Sequence, residues 1–186
     1  MTKFILGKKL GMTTIYDEKG ALNATLIECA PSKISLIRSI EKDGYDAIQL
    51  ETNKTDNKKT QKEFRITEKI EAKEGDEIKI DVFEIGDKVQ ITGITKAKGF
   101  QGVVKRHGFH GSDKTHGHKH DWRKPGSIGA TFPEHVIKGK RMAGRMGGEI
   151  SSTKNLKVVY IDKEKNILGV KGAVPGVVGR LVEIRG

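Results

Sequence analysis

A chain of 186 residues has room for one ordinary domain with a real core and is too short for several. With 35 Lys and Arg against 24 Asp and Glu, its net charge of +11 makes a polyanion the natural neutralising partner, nucleic acid before an anionic membrane. The single cysteine, Cys29, excludes an intramolecular disulfide, and Phe4, Ile5 and Leu6 are too short a run for a signal segment or membrane span, which points to a soluble, cytoplasmic protein.

From the N-terminus, short apolar and β-branched runs are split by turn residues: FILG, TTIY, ATLIEC, KISLIRSI, YDAIQLE, DEIKIDVF and KVQITGIT. This pattern predicts half-buried antiparallel strands. DEKG at 17–20 and EKDG at 41–44 put glycine at the end of polar turns, as hairpin connections require. Residues 52–63 contain no apolar side chain and read as a solvated loop or hairpin tip, and the acids of 68–87 read as the solvated face of a strand region. Alternation is clear at 79–83, where Ile80 and Val82 share a side, and at 89–93, where Val89, Ile91 and Gly93 oppose Gln90 and Thr92. Cys29, flanked by apolar residues, reads as a small core side chain.

One helix is expected at about 99–106, because Phe100, Val103 and Val104 share a face at i, i+3 and i+4, with Gly99 and Gly102 working against it. In KPGSIGATFPEH, Pro125, Gly126, Gly129 and Pro133 forbid a continuous helix and favour an extended, turning chain. After residue 150 the strand pattern resumes with LKVVYID, NILGVKG and GRLVEIR. The fold class is therefore mainly β, a small barrel or sandwich made of 1–95 and 150–186, interrupted once by a basic segment at 96–149.

The charge is concentrated in that segment. Residues 96–145 hold twelve Lys and Arg and only three acids, so the other 136 residues carry just +2. The same window contains all six histidines, nine of the 23 glycines, and neither leucine nor tyrosine. It lacks the aliphatic stock for its own core, so it reads as an arm that gains order against a polyanion. At roughly 3.3 Å per extended residue, an excursion of this length that goes out and back reaches several tens of Å.

Within the arm, THGHKHD places His116, His118 and His120 beside Asp121, which raises a metal-dependent hydrolase or nuclease as the competing function. The order differs from HxHxDH, no second carboxylate cluster follows, and Lys114, Lys119, Arg123 and Lys124 oppose a dication, so the imidazoles read as RNA-facing groups. KGKRMAGRMGGE at 138–149 combines four cations with four glycines, which let a backbone approach phosphates closely. No GxxxxGK[ST], GxSxG, HExxH or CxxC is present, so no enzyme and no cofactor is expected, nor a small-molecule substrate or membrane. A third reading is an RNA chaperone.

Six blocks, ILGKKLGMTTIY at 5–16, TKAKGFQGVVKRHGF at 95–109, THGHKH at 115–120, PGSIGATFP at 125–133, KGKRMAGRMG at 138–147 and VKGAVPG at 170–176, together resemble the ribosomal protein L3 family, in the family's order. The resemblance implies a translation-protein-type β-barrel with a long, mostly irregular extension that enters large-subunit rRNA towards the peptidyl transferase centre. It also implies early binding near the 3′ end of that rRNA, a nucleating role in assembly, and neighbouring ribosomal proteins, L14 among them. Carried over by motif, the RNA-binding residues are Lys8 and Lys9 on the barrel; Lys96, Lys98, Lys105, Arg106 and His107 near the base of the arm; His116, His118, Arg123 and Lys124 in its middle; and Lys138, Lys140, Arg141 and Arg145 at its deep end. Two departures stand out: Arg145 occupies a place where some bacterial members carry a methylated glutamine, and the region around 52–75 is trimmed.

Overall fold

The apolar triplet Phe4, Ile5 and Leu6 opens strand β1 (Phe4–Asp17), and all three residues are buried. Successive side chains of a strand point to opposite faces, so such a run needs an apolar layer on each side. The structure, a computed structural model, describes residues 3–17, 20–55, 58–66 and 72–186 and supplies both layers. Ile5 joins one core with Ile27, Ile91, Leu168 and Ile184, while Phe4 and Leu6 join a second with Ile34, Ile48, Leu50 and Phe64.

The chain continues with β2 (Gly20–Glu28), β3 (Ser32–Arg38), the one-turn helix α1 (Ile40–Asp43), β4 (Ala47–Thr55), β5 (Lys58–Arg65) and β6 (Glu77–Ile78). It then runs through β7 (Lys88–Ile94), β8 (Gly99–Gln101), α2 (Val103–His107), β9 (Gly144–Met146), β10 (Ile150–Asp162), β11 (Ile167–Lys171) and β12 (Leu181–Arg185). Strands β1, β12, β7, β10, β11 and β2 pair in that order, and β2 pairs back onto β1, so the ladder closes on itself. The first core draws on all six of these strands. A second sheet, ordered β5-β4-β3-β6, supplies most of the second core, where the rings of Phe4 and Phe64 stack at 5.0 Å. Such a ring pair contributes about 0.5–1.5 kcal/mol beyond its burial.

By its contacts the chain divides into two units, Met1–Thr95 with Ile150–Gly186, and Lys96–Glu149. Ile94 of β7 lies opposite Ile150 of β10, so the β7–β10 ladder of the first unit is continuous across the point of insertion.

Several sequence expectations hold. Val89, Ile91 and Gly93 are buried on one face of β7, and Cys29 is fully buried. The EKDG connection joins antiparallel β3 and β4, with Gly44 in the left-handed region ending α1. The DEKG connection begins and ends on the pair Asp17 and Gly20, and its residues 18–19 lie outside the described residues, as do 68–71 of the acidic stretch.

Two expectations need correction, and between them an open alternative is decided. Ile80 and Val82 do not share a strand face: Ile80–Val82 is a 3-10 turn, which brings Ile80 and Phe83, three residues apart, into the same core and leaves Val82 exposed. Of the two alternatives for 52–63, the hairpin holds: residues 52–55 and 58–63 are paired strand, with 56 and 57 outside the described residues. Polar cross-strand partners stabilise that hairpin: Gln49 Nε2 donates to Gln61 Oε1 at 3.2 Å, Gln61 Nε2 to Glu51 at 3.0 Å, and Lys59 pairs with Glu51 at 2.6 Å. The helix expected at 99–106 is shorter and later, because Gly99 sits at φ 69 inside β8 and Gly102 is extended, so α2 begins only at Val103. Phe100 is thereby exposed while Val103 is buried.

Candidate nucleic-acid interface

The second unit is held by its backbone, because it has little apolar material to pack. Val103 is its one buried hydrophobic residue. Gly99, Phe100 and Gln101 pair with Met146, Arg145 and Gly144, and Lys98 N–H donates to the Met146 carbonyl at 2.9 Å. From α2, Arg106 Nη1 donates to the Met142 carbonyl at 2.7 Å, and His107 Nε2 lies 3.0 Å from the same oxygen. A carbonyl only accepts, so this contact fixes the proton of His107 on Nε2. Glycines make these approaches possible: a Cβ on Gly144 would stand 2.6 Å from Arg106 Nη1, and one on Gly147 would collide with the Lys96 carbonyl.

Beyond this neck the chain from Gly108 to Arg141 runs through turns, among them Lys124 N–H to the Asp121 carbonyl at 3.1 Å and Lys140 N–H to the Ile137 carbonyl at 3.2 Å. As expected, no helix crosses Pro125–Pro133. Gly111 lies directly against the Trp122 carbonyl, and the Lys114 ammonium sits 4.3 Å from the centre of the Trp122 ring, within cation–π range.

Of the carried-over residues, Lys96, Lys98, Lys105, His116, His118, Arg123, Lys124, Lys138, Lys140, Arg141 and Arg145 are exposed, and Lys8, Arg106 and His107 are half-buried. Lys9 departs from the expected RNA face. It is 8% exposed, and its Nζ donates to the carbonyls of Val174 at 2.7 Å and Gly176 at 3.1 Å, so its charge is satisfied inside the first unit. Alternation carried the signal for this: adjacent Lys8 and Lys9 must point to opposite faces.

Lys124 pairs with Asp121 at 3.0 Å. The unit's twelve cations meet only four acids, Asp113, Asp121, Glu134 and Glu149, so most of its charge has no internal counterpart whatever the pairing. The three histidines of the THGHKH run are exposed, and among the described residues no three His, Cys, Asp or Glu side chains are gathered as metal ligands. His107, His118, Lys124 and Arg141 border one open cavity of about 730 Å³ together with His110 and Asp121, neither of which sequence reasoning assigned to RNA binding. The available signal was the Gly108 and Gly111 pair followed by Pro125-Gly126, which lets the chain fold back on itself.

A mainly β protein whose inserted unit is poor in core and carries unneutralised positive charge belongs to the class built to be completed by a polyanion. Comparison with known proteins makes this specific. The family model described as Ribosomal protein L3 matches residues 30–167. Large ribosomal subunit protein uL3 of Leifsonia xyli subsp. xyli is 45% identical, over 97% of this chain and 92% of that protein. Its counterparts in Geobacillus sp. (strain WCH70) and Bacillus cytotoxicus are 42% and 41% identical, over 95% and 100% of this chain and 92% and 97% of theirs. The chain belongs to the ribosomal protein L3 family, whose members are structural proteins and not enzymes.

Proposed function

We propose that this protein is a structural constituent of the large ribosomal subunit in the cytoplasm, bound to rRNA and neighbouring ribosomal proteins. In this reading the six-stranded ring is the family's translation-protein-type barrel, and Lys96–Glu149 is the extension that enters rRNA towards the peptidyl transferase centre. Binding falls near the 3′ end of the large-subunit rRNA, nucleates assembly, and brings L14 among the protein neighbours.

The observation that carries the proposal is the imbalance of the second unit, twelve cations against four acids in a segment with one buried hydrophobic side chain. Such a segment is completed by phosphates: each neutralised phosphate releases counterions, and the entropy gained offsets the cost of ordering. Lys96, Lys98, Lys105, Arg106, His107 and Arg145, which stands opposite Phe100 in the β8–β9 ladder and so not at the deep end expected for it, hold RNA near the neck, His116, His118, Arg123 and Lys124 further along, and Lys138, Lys140 and Arg141 beyond them. Arg145 adds a permanent charge where a neutral modified side chain stands in some relatives. Lys8 serves from the ring, and Lys9 acts one step behind it by holding the loop after β11.

Affinity for large-subunit rRNA measured against salt tests the proposal. The logarithm of the binding constant should fall steeply and linearly with the logarithm of salt concentration. Deleting residues 112–142 should abolish assembly of large subunits while the first unit still melts cooperatively, since Ile94 and Ile150 are paired without the insertion. Intact assembly after that deletion overturns the mechanism.

A further inference from the structure

The cavity of about 730 Å³ lies wholly within the second unit. Its size falls in the range of small-ligand sites, large enough for one nucleotide and too small for a duplex. Its walls carry rings from His107, Phe109, His110 and His118, and the centroids of the first two lie 6.1 Å apart at 46°. Rings of this kind offer faces on which an unstacked base can lie. Lys124 and Arg141 border the same space and supply charge for a phosphate.

Asp121 is the informative member. It is the one acid among the lining residues, and in a unit made to meet phosphates a carboxylate at the site of contact costs affinity. Lys124 pairs with it at 3.0 Å, both side chains being more than half exposed, so the pairing is screened by water and leaves the acceptor oxygens available. A carboxylate is well matched to a base edge that presents two adjacent donors. Among the common bases guanine does so, through its ring N–H and exocyclic amine, whereas adenine offers a single donor group flanked by acceptors.

We propose that this cavity receives one unstacked guanine nucleotide of a bound RNA, with Asp121 accepting from the base, the imidazoles stacking on it, and Lys124 and Arg141 holding its phosphate. The proposal rests on the RNA-binding reading above and adds base selectivity to it. General phosphate neutralisation predicts no preference among bases.

The full-length chain allows a direct test, because Trp122 is its single tryptophan and its carbonyl abuts cavity-lining Gly111. Titration with GMP at millimolar concentrations should change Trp122 emission saturably, with affinity at least about fivefold above that for AMP. IMP, which lacks the exocyclic amine, should bind more weakly than GMP, and ribose 5-phosphate more weakly still. Asp121→Asn should abolish the preference for GMP, and Arg141→Ala should weaken all the nucleotides alike. Equal responses to GMP, AMP and ribose 5-phosphate, no saturable GMP response, or an unchanged preference in Asp121→Asn would each overturn the proposal. The salt dependence of rRNA affinity, measured on the same wild-type preparation, separates the two readings: a steep slope without base preference removes only the cavity assignment, and a missing slope removes the RNA reading itself.

Discussion

The Lys9 ammonium donates to the Val174 carbonyl at 2.7 Å, across 165 positions of sequence, and also reaches Gly176 at 3.1 Å. The main chain reinforces this link: Lys9 N–H donates to the Arg180 carbonyl at 3.0 Å, and Gly179 N–H returns to the Lys9 carbonyl at 2.7 Å. The loop between β11 and β12 is thus tied to β1 by both side chain and backbone. Lys9→Met keeps the aliphatic stem and removes the donor, leaving two carbonyls unsatisfied at a cost of about 1–3 kcal/mol. The expected result is a lower melting temperature with no change in the salt slope of rRNA affinity. Lys8→Met should do the reverse, sparing the melt and reducing the slope by about one phosphate contact. A Lys9 variant that loses slope but melts normally would place that ammonium on RNA.

Gly147 and Gly148 both sit at φ 75, yet their surroundings differ. A Cβ on Gly147 would collide with the backbone carbonyl of Lys96, whereas one on Gly148 would meet Arg145 Nη2 at 3.4 Å and Ala97 Cβ at 3.6 Å. Gly148→Ala therefore carries mainly the left-handed strain, about 1–2 kcal/mol, while Gly147→Ala adds a clash that only the main chain can relieve. Hydrogen exchange at the Lys98 amide, bonded to Met146, reads the outcome. Protection should fall by roughly five- to thirtyfold in Gly148→Ala and further in Gly147→Ala. Equal losses would mean that the neck yields at no cost.

Cys29 is fully buried beneath Gly7, and burial, with the Glu28 charge adding to it, pushes the thiol up to about 12. The reactive thiolate is then scarce at neutral pH, and reagent has no path to the sulfur. An aromatic disulfide reagent at pH 8 should release no thiolate from the folded chain and one equivalent after denaturation. Gly7→Ala should expose the site indirectly, because its Cβ would stand 2.5 Å from Ile27 Cγ2 and 3.0 Å from Cys29 Sγ. Fast reaction in the native wild type would contradict the packing.

Legibility in the sequence followed the strength of the local signal. Val89, Ile91 and Gly93 alternate over enough residues for period two to dominate, and β7 forms as read. Ile80 and Val82 show the same alternation over too short a span, and Phe83, three residues after Ile80, drew the chain into a 3-10 turn. For 52–63 the choice between loop and hairpin tip stayed open, because the outer pairs of β4 and β5 are Gln, Glu, Lys and Thr, whose mutual hydrogen bonds do not register in an apolar count. The cationic unit was visible by counting alone, since charge needs no geometry. The cavity was not, because bringing His107 to Arg141 depends on turns at Gly108, Gly111 and Gly126, all at positive φ.

Asp87 gives the first unit a pH dependence of known sign. The Lys3 ammonium at 2.7 Å, followed by the Glu84 N–H at 3.0 Å, holds its carboxyl below the usual carboxylate range. A depressed folded-state pKa means that the contribution to stability is complete above the unfolded value, about 3.9, and disappears as pH falls through the folded value. Both side chains are 28% exposed, so water screens the pair and the effect is modest. Asp87→Asn removes the charge while its side-chain oxygen still accepts from Glu84. Melting temperatures of wild type and variant should therefore differ at neutral pH and converge on acidification below the ordinary carboxylate range, with the gap narrowing in high salt. A gap that persists unchanged into acid would show that packing, and not the charge of Asp87, sets the difference.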